Sequence, residues 1–277
     1  MILTPGIYKM SFPDYQEIDA VNCTPLVRFN QLPILATIQK EDTPAMAFGR
    51  GFHSLLLERE LFETRYQVMP KGMKRLGKKW EAFQEDFKGK EFISYDDSVT
   101  MLSMLDSLNS GRYETAKNLI TNSSHEVTVV WQHKIHPILC KARLDCAWPE
   151  LGIIADVKTS TTADPDQWLR TAINAKGCPH FQASWYLQGA NATAEEGITY
   201  HTFLWILFET KEPYGISVVQ ATPPPEGEQD MAYLGYLQIE ELLPKYIQAK
   251  ETGIWEGYPD KIVQASLPNW YIRNLQI

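Results

Sequence analysis

The chain has 277 residues, of which 44% are hydrophobic and 22% charged, a composition typical of a globular protein with a sizeable core. Its formal net charge of −8 disfavours a protein that coats nucleic acid nonspecifically, because such proteins are normally basic. No apolar run approaches the ~20 residues of a membrane span, and the first residues lack the apolar core of a signal peptide. We therefore expect a cytoplasmic protein with no membrane partner.

The first part of the chain, residues 1–122, is predicted to be mainly helical. We expect helices over 24–37, 44–58, 74–87, 97–109 and 112–121. The helix over 44–58 has the clearest pattern, because Thr43 is a suitable N-cap and Pro44 suits the first helical position. An apolar stripe at three-to-four spacing follows in the same segment.

After residue 122 the pattern changes to short segments rich in β-forming residues. We expect strands over 126–132, 139–148, 152–159, 201–209 and 215–221, helices over 165–175 and 179–190, and a long helix from about 227 to 252. This order predicts an α/β fold in which helices flank a mixed central β-sheet. All 277 residues then form one domain, with a sheet core over 123–222 and a C-terminal helix and tail over 223–277.

The two strands on either side of a turn at residues 149–152 carry the acidic residues of interest. If Trp148 faces Ile153, Asp145 lies opposite Asp156 and Arg143 lies opposite Lys158. Side chains alternate between the faces of a strand, which separates a core face from a polar face. The predicted core face holds Ala142, Leu144, Cys146, Trp148, Ile153, Ala155 and Val157, and the polar face holds Lys141, Arg143, Asp145, Asp156 and Lys158.

Two carboxylates that face each other across a strand pair repel and destabilise it. Lys158 lies on the same face as Asp156 and would supply part of the compensating charge, and a divalent cation would supply the rest. Mg²⁺ prefers oxygen ligands and takes only one or two protein carboxylates. The hairpin alone fits such a metal site and an ion-pair network on a solvated sheet face equally well.

Five segments beyond the hairpin extend this pattern. They are AFGRGFHSLLLE, EVTVVW, KARLD, GIIADVKTS and HFQASWYLQGA, in that order. Together they resemble the PD-(D/E)XK exonucleases of the RecE (exodeoxyribonuclease VIII) type and, more distantly, the RecB-family and phage λ-type exonucleases. The resemblance runs from about residue 10 to the end of the chain. It implies a restriction-endonuclease-like nuclease fold and metal-dependent degradation of one strand of linear double-stranded DNA, 5′ to 3′.

The resemblance also implies the roles of individual residues. Asp145 matches the first acidic position of the family and would bind metal, and Asp156 matches the second and would bridge metals. Lys158 matches the motif lysine, which would orient or activate water and stabilise charge on the phosphate. His53, in G-x-x-x-H, matches a helix histidine that ligates metal, although a lone helix histidine is often structural. The backbone carbonyl of Val157 would complete the set of ligands.

Other positions carry weaker expectations, each with a structural alternative. Gln182 and Tyr186, four residues apart on one helix face, would position DNA or water, or else cover the core. Glu126 could be a supporting acid or a solvated strand residue. Arg143 and Lys141 could contact phosphate or balance the two aspartates. The basic residues Lys74, Arg75, Lys78 and Lys79 could line a DNA path or belong to a solvated helix, and Thr24 and Arg28 could hold a terminal phosphate.

The expected cofactor is Mg²⁺, for which Mn²⁺ would substitute. Some related nucleases hold an iron–sulfur cluster through three clustered downstream cysteines, but Cys178 is the last of the four cysteines here, so we expect no cluster. The resemblance implies a ring-shaped homo-oligomer, DNA with free ends, a single-strand annealing protein as partner, and a phage or prophage recombination system. An endonuclease, a non-catalytic DNA-binding protein and a metal-free structural protein are the alternatives.

Overall fold

The computed structural model describes residues 1–38, 41–221 and 230–274. The strands in these ranges are β1 (Gly6–Tyr8), β2 (Tyr66–Val68), β3 (Glu91–Ile93), β4 (Ser124–Gln132), β5 (Leu139–Trp148), β6 (Ile153–Ser160), β7 (Thr202–Glu209) and β8 (Ile216–Gln220). The helices are α1 (Phe12–Gln16), α2 (Cys23–Gln31), α3 (Pro44–Leu57), α4 (Arg59–Arg65), α5 (Lys78–Asp86), α6 (Tyr95–Leu108), α7 (Glu114–Thr121), α8 (Pro165–Asn174), α9 (Pro179–Thr193), α10 (Met231–Thr252) and α11 (Asn269–Asn274).

Six of these strands form the central sheet, in the order β1-β4-β5-β6-β7-β8. The β6–β7 pair is parallel and the other four pairs are antiparallel, which confirms the predicted mixed sheet. A parallel pair needs a long crossover, and α8 and α9 supply it between β6 and β7. Strands β2 and β3 form a separate two-stranded parallel sheet.

The predicted hairpin register is correct near the turn but does not continue to the aspartates. Trp148 pairs with Ile153, and the ladder ends two residues further on, where Cys146 pairs with Ala155. Beyond it, the Oδ2 atom of Asp145 accepts a hydrogen bond of 2.8 Å from the backbone N–H of Val157. A side-chain carboxylate therefore replaces the main-chain acceptor, and Asp145 and Asp156 are not a ladder pair.

The prediction of one core face and one polar face on this hairpin was wrong. Ala142 and Leu144 belong to a core cluster with Trp185 of α9, whereas Cys146 and Val157 belong to a second cluster, which also contains Phe52 of α3. Helices therefore cover both faces of the sheet, as is usual where parallel strands are present. As a result, the four charged residues Lys141, Arg143, Asp145 and Asp156 are all buried.

Several predicted helix boundaries also need correction. The helix expected over 74–87 begins only at Lys78, because Gly77 before it has a φ of +76°, which is in the left-handed region that glycine tolerates. The helix expected over 24–37 ends at Gln31 and continues as a 3₁₀ turn over Pro33–Thr37. The predicted start of the long helix near residue 227 lies outside the described residues.

The N-terminal part is less purely helical than the sequence predicted. Strand β1 pairs with β4 at one edge of the central sheet, so residues before 122 contribute directly to it. Within residues 1–38, 41–221 and 230–274, none of the helices combines the length and the apolar character that crossing a membrane requires.

Candidate active site

A cleft of about 1490 Å³ opens where α1 and α3 meet the middle of β5 and β6. This volume exceeds the roughly 300–1,000 Å³ that is typical of small-molecule pockets. Its walls include His53, Glu126, Asp145 and Lys158. The cleft is thus large enough for a polymeric substrate and is lined by several of the residues that the sequence singled out, although Asp156 and Gln182 are not among its described lining residues.

His53 projects from α3 and is held between two groups of the hairpin. Its Nε2 atom lies 2.9 Å from the carbonyl oxygen of Val157, and its Nδ1 atom lies 3.4 Å from Oδ2 of Asp145. Because a carbonyl only accepts, Nε2 carries the proton and Nδ1 offers its lone pair towards Asp145. Burial lowers the pKa of His53, which favours the neutral form that ligates metals. The Val157 carbonyl contacts Nε2, the ring nitrogen that does not face Asp145, and so it orients the His53 ring.

Asp145 and Glu126 bring two carboxylates to the same side of His53. Burial, and then the charge of Asp156, raises the pKa of Asp145 well above its usual range. Burial, and then Asp145, raises the pKa of Glu126 to about 7. One ligand atom each from His53, Glu126 and Asp145 lies within 4.8 Å of the others. A divalent cation would relieve this crowding, so the donor set of one nitrogen and two carboxylates fits a metal site.

Glu126 reaches this position through an unusual backbone conformation. It lies between the β4–β5 ladder pairs His125–Cys146 and Val127–Leu144, directly across from Asp145. Its φ of +54° is in the left-handed region, which costs energy for a residue with a side chain. The strained residue is therefore the one whose carboxylate lies beside His53 and Asp145. The sequence predicted only a supporting role for Glu126, whereas the structure places it among the candidate metal ligands.

Asp156 is held on both of its carboxylate oxygens by neighbouring side chains. Nζ of Lys158 lies 2.5 Å from Oδ2, and Nε2 of Gln182 donates a 2.7 Å hydrogen bond to Oδ1. Trp205 in turn lies 3.3 Å from Oε1 of Gln182 and donates to it. Gln182 therefore orients Asp156 rather than covering the core. The group formed by His53, Glu126 and Asp145 does not include Asp156.

Lys158 and Tyr186 bring proton donors to the cleft. Burial opposes the charge of Lys158, but the carboxylates of Asp156 and Asp145 outweigh it and raise the pKa of the ammonium group. Burial, followed by the charge of Asp156, raises the pKa of Tyr186 well above its usual range. Lys158 is therefore a cation and Tyr186 a neutral phenol near neutral pH, and both face the cleft.

The two other basic residues of β5 make structural contacts. Nζ of Lys141 donates to the carbonyl oxygens of Tyr15, Gln16 and Ile18 at 2.7–3.2 Å, which uses all three of its donors. Arg143 is paired with Glu126 through its Nε atom and donates to the carbonyl of Met10 at 2.7 Å. Both side chains therefore fix the walls of the cleft, and the expectation that they contact phosphate loses support.

The basic stretch expected to line a DNA path lies elsewhere. Lys74, Arg75, Lys78 and Lys79 are exposed and are not among the described residues that line the cleft. Arg75 donates to the carbonyl of Phe92 at 2.6 Å. Thr24 lines the cleft but Arg28 does not. Arg50 was not among the predicted site residues, but it does line the cleft. It lies three residues before His53, so both side chains are on one helix face.

These features define a class of protein. A mixed sheet flanked by helices carries two aspartates and a lysine in the D-x10-D-x-K arrangement, with a helix histidine beside them, and this is the arrangement of the PD-(D/E)XK fold. Residues 33–264 match the sequence model of the family described as "PDDEXK-like domain of unknown function (DUF3799)". The chain therefore belongs to this PDDEXK-like family.

A solved structure supports the same fold. It is a crystal structure from Eubacterium rectale described as a "Putative exonuclease", with a TM-score of 0.62 and 11% sequence identity. The match covers 97% of this chain and 98% of that one. A search of curated proteins finds no match. At this identity the likeness shows a shared fold over nearly the whole chain.

Proposed function

We propose that the protein is a divalent-metal-dependent exodeoxyribonuclease that degrades one strand of linear double-stranded DNA, 5′ to 3′, for recombination by single-strand annealing. The observation that carries the nuclease proposal is that His53, Glu126, Asp145 and Lys158 line one cleft, with Asp156 paired to Lys158. The polarity and the recombination role rest on the resemblance to the RecE type.

The chain's own residues would divide the work of phosphodiester hydrolysis. His53, Asp145 and Glu126 would hold the cation, with Asp156 available from the adjacent strand. A divalent cation there would lower the pKa of coordinated water and neutralise charge on the phosphate. Because an imidazole nitrogen joins the carboxylates, we expect Mn²⁺ to bind more tightly than Mg²⁺, with Mg²⁺ as the working ion at cellular concentrations.

Lys158 would act as a fixed positive charge. The neighbouring carboxylates of Asp156 and Asp145 raise its pKa and favour the protonated ammonium. It is 34% exposed on the cleft side and would stabilise the negative charge that grows on the phosphate oxygens. Tyr186, as a neutral phenol, would donate a hydrogen bond to the DNA backbone or to water.

The deciding experiment uses linear duplex DNA labelled separately at the 5′ and 3′ ends, incubated with the protein and Mg²⁺ beside a closed circular duplex. Progressive loss of the strand from its 5′ end, with the circle intact, is the expected result. Cutting of the circle would identify an endonuclease instead. No cleavage with either Mg²⁺ or Mn²⁺ would contradict the catalytic proposal and favour a non-catalytic DNA-binding protein.

The proposed assembly follows from the resemblance alone. A ring-shaped homo-oligomer would enclose the duplex and keep the enzyme on its substrate, and a single-strand annealing protein would take up the strand that is left. Sedimentation measurements of the purified chain test the first of these, and co-purification with an annealing protein encoded beside it tests the second.

A further inference from the structure

Arg50 stands next to the proposed metal ligands without a role in the mechanism above. It lies on α3 three residues before His53, which is about 4.5 Å along the helix axis and on the same face. Gly49 beside it faces β6, where an added Cβ atom would come into van der Waals contact with Oγ1 of Thr159. Arg50, Gly49 and Thr159 all line the cleft.

The guanidinium of Arg50 is occupied by a carboxylate in a two-pronged contact. Its Nη1 atom lies 2.8 Å from Oδ1 of Asp42, and its Nη2 atom lies 2.7 Å from Oδ2. A phosphate presents two oxygens to arginine in the same parallel geometry. The Asp42 carboxylate therefore fills, in the free protein, the position that a phosphate group would take.

The other cations of the cleft are committed to partners inside the protein. Among the described lining residues, Lys141 and Arg143 hold backbone carbonyls and Glu126, Lys158 is paired with Asp156, and Arg65 holds Glu91 at 2.7 Å. Arg50 also lies 4.0 Å from Glu91, but its nearer partner is Asp42, which is 53% exposed and precedes the helix. Because the Asp42 carboxylate is reached by solvent, a phosphate that enters the cleft can compete with it for the guanidinium.

We propose that Arg50 binds the DNA phosphate next to the one that is cut, and that Asp42 competes with DNA for the Arg50 guanidinium. Arg50 and His53 lie one turn apart on the same face of α3, and successive phosphates follow each other along one DNA strand. A phosphate held at the metal ligands therefore places its neighbour within reach of the long arginine side chain. This inference rests on the proposed nuclease function.

The test measures the affinity of the full chain for a short fluorescent duplex by anisotropy, with Ca²⁺ in place of Mg²⁺, across a range of salt concentrations. Arg50→Ala should weaken binding about 10-fold and reduce the salt slope by about one ion. Asp42→Asn should tighten binding several-fold. The double variant should bind like Arg50→Ala, because Asp42 acts only through Arg50.

Two matched controls separate this competition from a general charge effect. Glu41 is the exposed acid beside Asp42 and also lines the cleft, so any gain from Glu41→Gln should persist when Arg50 is replaced. Arg170 is an exposed arginine on α8, and Arg170→Ala should bind like the wild type. The gain of affinity in Asp42→Asn is a result that a misfolded protein would not give.

Three outcomes overturn the inference or the function separately. Wild-type affinity in Arg50→Ala, or a gain from Asp42→Asn that survives in the double variant, overturns the role of Arg50. A wild-type protein that shows the expected Arg50 and Asp42 effects but never cleaves DNA overturns the nuclease function alone. Failure of the wild type to bind DNA overturns both.

Discussion

Glutamine in place of Glu126 should make the metal-free protein more stable at alkaline pH. Burial, and after it Asp145, raises the pKa of this carboxyl from an ordinary 4.5 to about 7. Because the pKa is higher in the folded state, the folded protein binds more protons than the unfolded one between these values. The stability of the wild type therefore falls as the pH rises through this window, and Glu126→Gln removes that fall.

The size of the effect follows from the shift. A change of this extent corresponds to about 3 kcal/mol, at ~1.4 kcal/mol for each pH unit. The side chain is only 12% exposed, so solvent screens the interaction little. Glutamine keeps an oxygen that can accept from Arg143, which limits the loss on the other side.

Urea unfolding in EDTA at pH 5 and at pH 8.5 measures the difference. The free energy of unfolding of Glu126→Gln relative to the wild type should rise by about 2.5 kcal/mol between the two conditions, because at pH 5 part of the full effect is already present. Mn²⁺ at pH 8 should then stabilise the wild type and stabilise the variant much less. Glu58→Gln, which removes the other carboxylate near Arg143 at 3.4 Å, should keep the full Mn²⁺ effect. Parallel pH profiles of the wild type and Glu126→Gln would refute the crowding of carboxylates at this site.

Four other substitutions test the remaining parts of the site. Lys158→Ala should leave duplex binding nearly intact and lower the cleavage rate at least ~100-fold, and cleavage at the wild-type rate would remove Lys158 from the mechanism. Asp145→Asn should abolish Mn²⁺ binding in titration calorimetry, whereas Gln182→Ala, which acts only by orienting Asp156, should weaken it ~10–100-fold; equal affinities in all three proteins would contradict the proposed ligands. Lys141→Ala leaves three carbonyls without a donor and should destabilise the fold by roughly 3 kcal/mol, with DNA affinity unchanged in the folded protein; a selective loss of DNA affinity would return Lys141 to the phosphate-contact role.

Much of the fold could be predicted because its elements carry local signals. Strand β5 runs over the predicted residues 139–148, and α3 begins at Pro44 with Thr43 as its cap. The short strands β1, β2 and β3 have three residues each and were missed. Three residues are too few to show a period, and such strands form only because a partner strand is already in place.

The sequence predicted which residues belong to the site better than it predicted which of them contact each other. Asp145, Asp156 and Lys158 could be named because a two-residue spacing and a turn place them on one hairpin. Nothing local to Glu126 marks it as a neighbour of His53, because β4 and α3 bring these residues together from distant parts of the chain. Arg50 was missed although its spacing from His53 was visible, because its position on the cleft appears only after α3 packs against β6.

The order of the longer helices and strands, the register at the turn and the acid-acid-lysine set could be read from the sequence, because each depends on residues close together in the chain. That both faces of the sheet are covered became clear only from the packing of the helices. That burial changes the chemistry of the charged residues, because a buried lysine or arginine must satisfy its donors internally. Lys141 and Arg143 therefore brace the cleft, while the crowded carboxylates of Glu126 and Asp145 form a group that a divalent cation would stabilise.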